Sequence, residues 1–381
     1  MQFFENNELI SAIYHRAICF TISKEFAHSQ KGEVFVAKYQ DSEQADRRRE
    51  LLAVEQRANK EKVIEEHGQK QFVSEVSKKL LAKVHQRIVD DFDNKEKLFS
   101  QTLKIETAAC DILELISVKA ASIKRITPLV NSLPWLADNL VNLVNKPQYR
   151  KRSDVKVAEP SLAVSYIGLD NLKMVMPTFI LKHWLPVSTA PFGAMKRKLW
   201  QDSLAIAMAT QILANNEGID EYQAFAGGMM SNIGILAVSR TFTQVYNEIH
   251  QKELKSAYDK RDKRLHDALT NIEATPDLLL ELISSHSSKL AGELVELMRF
   301  DRLNITEAVF DLSFNDNRNN MCKLAQLILK AKAYVFYRCL NNDDLIDEDE
   351  AKTWLKAVGL TAKEIAQLNR ADIDHIKLQF N

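Results

Sequence analysis

Apolar residues recur at three- and four-residue steps over most of this chain, and only once do they alternate. Between residues 41 and 97 the chain is dense in charge of both signs, as in ADRRRELLAVEQRANKEKVIEEHGQKQ, with Leu51, Val54, Val63, Ile64, Phe72, Val76, Leu80, Val84 and Ile88 at helical spacing. This predicts a long mixed-charge helix or hairpin, with heptads too irregular for a strict coiled coil. The stripe Phe72, Val76, Leu80, Val84 and Ile88 is too regular for a solvated arm, so it should rest on the core, a second copy or a partner. The expectation taken forward is an interaction surface, which leaves a homodimer open. The one alternating stretch, GEVFVAKY at 32–39, reads as a short strand.

From about residue 98 helical stretches follow one another, at 107–116, 122–130, 134–144, 162–184, 199–214, 222–230, 278–298 and 321–340. LPVSTAPFGA, at 185–194, is a loop with two prolines and a glycine. Trp200, Leu204, Met208 and Ile212 mark one apolar face of the 199–214 helix, and Ala205, Ala207 and Ala209 leave room for close helix approach. Near the C-terminus Asp347 with Glu350 and Thr361 with Glu364 have the spacing of capping boxes, with Gly359 as a helix stop between them. The acidic run NNDDLIDEDE lacks the ligand alternation of a calcium loop and reads as a solvated helix start. The fold class is therefore all-α. Its expected segments are a charged helical extension at 1–97, a multi-helix domain at 98–340 and a helical cap at 341–381.

Composition narrows the functional classes. A chain of 381 residues predicts more than one structural unit, and 46% apolar residues suffice for a packed core. Only ten glycines and eight prolines interrupt it, which favours long helices. Lys plus Arg equals Asp plus Glu at 51 each, so no global field draws the chain to nucleic acid or to an anionic membrane. Cys19, Cys110, Cys322 and Cys339 are far apart, which predicts reduced thiols with no zinc cluster and no cofactor. MQFFENNELISAIYHRAICF has acidic residues where a signal peptide carries positive charge, and no stretch reaches the roughly 20 apolar residues of a membrane span. The expected location is the cytoplasm.

No Gly-rich phosphate loop, G-x-S-x-G elbow or H-E-x-x-H motif is present. His183, beside Trp184, lacks a visible acid or nucleophile partner and reads as a residue serving a helix terminus. The basic cluster YRKRSDVK, with Arg150, Lys151 and Arg152 at its centre, is a weak candidate phosphate patch that MKRK at 195–198 could extend.

Four stretches carry a more specific signal. Pro134-Trp135-Leu136, with Leu140 and Asn145, resembles the "D-P-x-L … L-x-x-x-x-N" helix of the HDOD family, with Leu133 in place of Asp. AVSYIGLDNL, at 163–172, is similar to its "A-I-x-x-L-G-x-x-x-L" helix. LWQDSLAIA resembles "L-W-x-H-S-x-x-x-A", and AFAGGMMSNIG resembles "A-F-x-A-G-L-L-H-D-I-G". HDOD proteins are the regulatory relatives of HD-domain phosphohydrolases in bacterial signalling. The resemblance places Asp202 at a metal-binding His position, Ser231 and Asn232 at the His-Asp pair, Ser287 at a further His, and Leu312-Ser313 at a His pair.

Hydrolytic HD sites need imidazoles and carboxylates converging on an ion that activates water. Asp202, Ser231, Asn232 and Ser287 form at most a remnant pocket: neutral oxygens and one carboxylate stand where that set belongs. The resemblance therefore implies a non-catalytic bacterial signal-transduction protein acting on other signalling proteins, with no catalytic residues and no metal. The alternatives are a divergent metal-dependent phosphohydrolase, or a sensor that binds a nucleotide or cyclic dinucleotide without hydrolysing it.

Overall fold

The computed structural model describes residues 1–31, 53–149, 156–272 and 275–378, and every regular element among them is helical. The chain opens with α1 (Gln2–Glu5), α2 (Glu8–Ile22) and α3 (Lys24–Gln30), followed by the long α4 (Ala53–Phe92). Then α5 (Lys95–Lys97) passes into a single π-helical turn at Leu98–Thr102. Next come α6 (Thr107–Ser117), α7 (Ile123–Asn131), α8 (Pro134–Val144), α9 (Pro160–Trp184), α10 (Met195–Ala214) and α11 (Glu221–Met230). The remainder is α12 (Ile233–Asp259), α13 (Lys263–Thr270), α14 (Asp277–Leu297), α15 (Thr306–Phe314), α16 (Lys323–Asn341), α17 (Glu348–Ala357) and α18 (Ala362–Arg370). The strand expected at 32–39 lies outside the described residues, as do Arg150, Lys151 and Arg152.

Local chemistry sets many of these ends. Pro134 and Pro160 stand in the first turns of α8 and α9, where a missing N–H costs nothing. Asp220 and Asp262 accept from backbone N–H groups at the starts of α11 and α13. Both expected capping boxes form, Asp347 with Glu350 and Thr361 with Glu364. The acidic run before α17 is thus a helix start. Gly168, at φ 75°, breaks the geometry of α9 into two segments.

Small residues bring the central helices together. Ala205, Ala207 and Ala209 are buried on α10, and a Cβ on Gly228 of α11 would fall 2.7 Å from Ala207 Cα. On α12 a Cβ at Gly234 would fall 1.8 Å from the backbone oxygen of Ser287, so α12 and α14 meet backbone to backbone. Around this centre one continuous apolar core includes residues from α1 to α18.

The first thirty residues are part of that core. Helix α2 packs on α10, α14, α16 and α17. The Phe4 ring stacks on Tyr14 at 4.9 Å and on Trp354 at 4.7 Å. Arg16 donates to both carboxylate oxygens of Glu350, at 2.8 and 3.0 Å, and to the Leu345 carbonyl at 2.6 Å.

The stripe on α4 has an occupant as well. Val76, Leu80, Val84, Ile88 and Phe92 are buried in the common core, where α4 packs on α12, α13 and α14. The expectation that Val76, Leu80, Val84 and Ile88 form an interface with another molecule is therefore corrected: the chain's own helices cover them. Steps of four residues advance about 40° around a helix, so a contact line centred on Val84 and Ile88 turns toward solvent by Phe72. Phe72 is accordingly half-buried, with the Arg264 guanidinium 4.2 Å above its ring. Leu80→Asp with Val84→Asp should cost on the order of 4 kcal/mol or more, from lost burial and a stranded charge. Chemical denaturation would read this as a large drop in midpoint; an unchanged midpoint would contradict the packing described.

Candidate functional site

The segment Ser231-Asn232-Ile233-Gly234 is the tight junction between α11 and α12. Ser231 closes α11, its hydroxyl donating to the Gly228 carbonyl at 2.8 Å. Asn232 precedes α12 without capping it. Its Nδ2 donates to Ser203 Oγ at 3.3 Å, and its buried Oδ1 has no partner. Gly234, by lacking a side chain, lets Ser287 of α14 come up beside Ser231.

A cavity of about 20 Å³, room for one water-sized molecule, lies at this point. Ser231, Ser287, Leu312 and Ser313 line it, together with Tyr14, Ser288 and Lys332. Positions far apart in sequence that the motif comparison aligns with HD histidines thus converge in space. A lysine stands in the wall beside them. Lys332 of α16 is 2% exposed, and its Nζ donates to the Ser231 carbonyl at 3.0 Å. Burial pulls the Lys332 amine down to about 7, against the opposing field of Asp202.

Asp202 is bonded to a separate set of groups. Its Oδ1 lies 2.9 Å from Lys198 Nζ, one helical turn earlier on α10, and 3.7 Å from Cys339 Sγ. Thr21 of α2 donates to its Oδ2 at 3.3 Å. Burial raises the Asp202 carboxyl above its ordinary range, and the Lys198 charge partly offsets this. Burial also opposes the Lys198 charge, but Asp202 and Cys339 outweigh it and leave the amine raised.

This donor set does not fit the metal that the HD pattern holds. The side-chain oxygens at the cavity are neutral hydroxyls, and the Lys332 amine and the Met1 α-amino group stand near them. The single carboxylate is paired to a second lysine. A divalent ion would have to displace both lysine amines while gaining no imidazole.

Four of the groups that define the site, Lys332, Lys198, Cys339 and Thr21, were not among its expected residues. Lys332 left a trace in the sequence, since it stands in LILKAKAYVF four residues after Ile328 and four before Phe336, on the apolar side of α16. Lys198 and Cys339 left none, because only the packing of α10 on α16 joins them.

Other candidates resolve into local roles. His183 stacks on Trp135 with ring centroids 3.8 Å apart and lies 3.4 Å from Glu106. Burial lowers its pKa, and Glu106 works against the shift. Within MKRK, Lys196 donates to the Val187 carbonyl and Lys198 serves Asp202. Among the described residues Glu307, Asp311 and Cys322 bring potential metal-ligand atoms within 4.8 Å of one another. Asp311 there already accepts from the Cys322 N–H and from Asn315. No helix among the described residues is long and apolar enough to cross a membrane.

Comparison with known proteins places residues 103–274 in the HDOD domain family. The match is shorter than the 98–340 span expected from the motifs: it includes Asp202 and Ser231-Asn232 and stops before Ser287. No curated protein matches the chain. Among solved structures, a protein of Shewanella amazonensis named as a phosphohydrolase has 17% identity and a TM-score of 0.45, over 72% of this chain and 92% of that one. A protein of Marinobacter aquaeolei named as a signal transduction protein has 16% identity and a TM-score of 0.43, over 75% of this chain and 65% of that one.

Proposed function

We propose that this chain, whose residues 103–274 match the HDOD domain family, is a non-catalytic component of bacterial signal transduction that acts by binding other proteins. The observation that carries this is the convergence of Ser231, Ser287 and Ser313 on a cavity of about 20 Å³ with Lys332 in its wall. Hydrolysis of a phosphoester on this framework requires a metal-activated water. Lys332 offers an amine there, drawn down to about 7 by burial, and an amine does not coordinate and acidify a water as a metal ion does. The volume also argues against a nucleotide at these positions, since small-molecule sites occupy roughly 300–1,000 Å³. On this reading the helical framework persists as a rigid surface for partners.

The test is direct. Purified chain is incubated with manganese, iron or zinc, and elemental content after chelation is measured beside hydrolysis of phosphomonoesters and cyclic dinucleotides. The expected result is no retained stoichiometric metal and no turnover above background. Metal-dependent turnover that disappears in Asp202→Ala would overturn the proposal.

A further inference from the structure

Lys198 and Cys339 form a pair of reactive groups that the proposed function does not use. Lys198 stands in the first turns of α10 and Cys339 in the last turn of α16, and the two helices pack together. Lys198 Nζ lies 2.8 Å from Cys339 Sγ and 2.9 Å from Asp202 Oδ1. The Phe20 ring lies 4.8 Å from the same Nζ, and Thr21 donates to the far oxygen of Asp202. An amine, a thiol and a carboxylate are therefore in mutual contact in a largely enclosed place. Sulfur is larger than oxygen, so an amine hydrogen-bonded to a thiol normally stands further off than one bonded to an oxygen. Here the two separations are nearly equal, and the amine–sulfur distance suits two atoms joined through a single oxygen.

We propose that Lys198 and Cys339 are the site of a reversible oxidative cross-link, in which dioxygen places one oxygen atom between Nζ and Sγ and so ties α10 to α16. One amine, one thiol and one dioxygen give the N–O–S bridge and one water. An N–H and the S–H bond break, and N–O and O–S bonds form. Nitrogen and sulfur each give up two electrons, which together reduce dioxygen by four. Before this, the Lys198 ammonium must lose a proton, and Asp202, 2.9 Å away and with its carboxyl raised by burial, is placed to take it. Burial pushes the Cys339 thiol up to about 11, which keeps it protonated and slow toward oxidants that attack free thiolates. Four equivalents of an added thiol return the amine, the thiol and water, with two disulfides formed from the reductant.

The experiment uses the full chain, held either in air-saturated buffer or anaerobically with dithiothreitol, followed by intact mass and peptide mapping. The expected aerobic product is heavier by one oxygen less two hydrogens. It contains one peptide pair joined at Lys198 and Cys339, and dithiothreitol reverses it. Cys339→Ser and Lys198→Arg should each abolish the product. Lys198→Arg keeps a cation beside Asp202, so it carries the test if Cys339→Ser folds poorly. Recovery of Cys339 from aerobic protein as a free thiol, as a sulfinic acid, in a disulfide between chains, or joined to Lys198 without the added oxygen would overturn the proposal.

Discussion

Lys332→Met should raise the stability of this protein at neutral pH by on the order of 2–4 kcal/mol. Lys332 is 2% exposed, and its recorded hydrogen bond is to the Ser231 carbonyl. Its pKa falls from 10.5 to about 7 in the folded chain, with burial as the largest cause. Below about 7 both folded and unfolded chains carry the proton, and the folded state bears the full cost of the buried charge. Between about 7 and 10.5 the unfolded chain is charged and the folded one largely neutral, so this group's penalty shrinks as pH rises and is gone above 10.5. Methionine has similar length and flexibility without the charge. Denaturation at several pH values should therefore show wild-type stability climbing toward the variant's as pH rises from 7 to about 10. A variant that melts below wild type at pH 7 would mean that the ammonium holds the site together, and would contradict this account.

Gly234→Ala should act in the opposite direction and at least as strongly. The added Cβ would stand 1.8 Å from the Ser287 carbonyl oxygen, which belongs to a backbone and cannot rotate away. Helices α12 and α14 would have to separate, and overpacking of this kind costs about 3 kcal/mol or more. Because Ser231 and Ser287 face one cavity across this contact, the separation would also open the space beside Lys332. The expected result is a lower thermal midpoint together with binding of a small hydrophobic dye. Wild-type melting by Gly234→Ala would mean that the two backbones are further apart than described.

The same contact bears on what the sequence could reveal. Helices with polar residues on one face and caps at their ends were legible: α8 spans its expected residues, and both C-terminal capping boxes form. Helix α2 carries the period as well, with Ile10, Ile13, Tyr14, Ala17, Ile18 and Ile22 buried at three- and four-residue steps, but that spacing does not reveal that α10, α14, α16 and α17 cover it. The stripe on α4 was legible as a stripe, while its occupant was not, because spacing reports that a face is apolar and never what covers it. At the candidate site, positions fixed by local motif could be found in one dimension: Asp202, Ser231 and Asn232. Lys332 and Cys339 lie at least a hundred residues further along, and their proximity exists only once α16 has packed against α10 and α11.

The bond from Arg16 to Glu350 joins residues 334 positions apart, and Asn6 reaches Asp316 across 310. During synthesis Asn6 and Arg16 must therefore wait for Asp316 and Glu350. Until α16 and α17 emerge, α2 can pack only on α10 and α14, and the apolar surface that α16 and α17 cover stays open. Newly made chain thus carries uncovered apolar surface on α2 until those helices are made, and with non-local contacts coming late, aggregation competes. A ribosome stalled before residue 320 would present a chain whose first thirty residues are open to a holding chaperone, and one released after residue 360 would not.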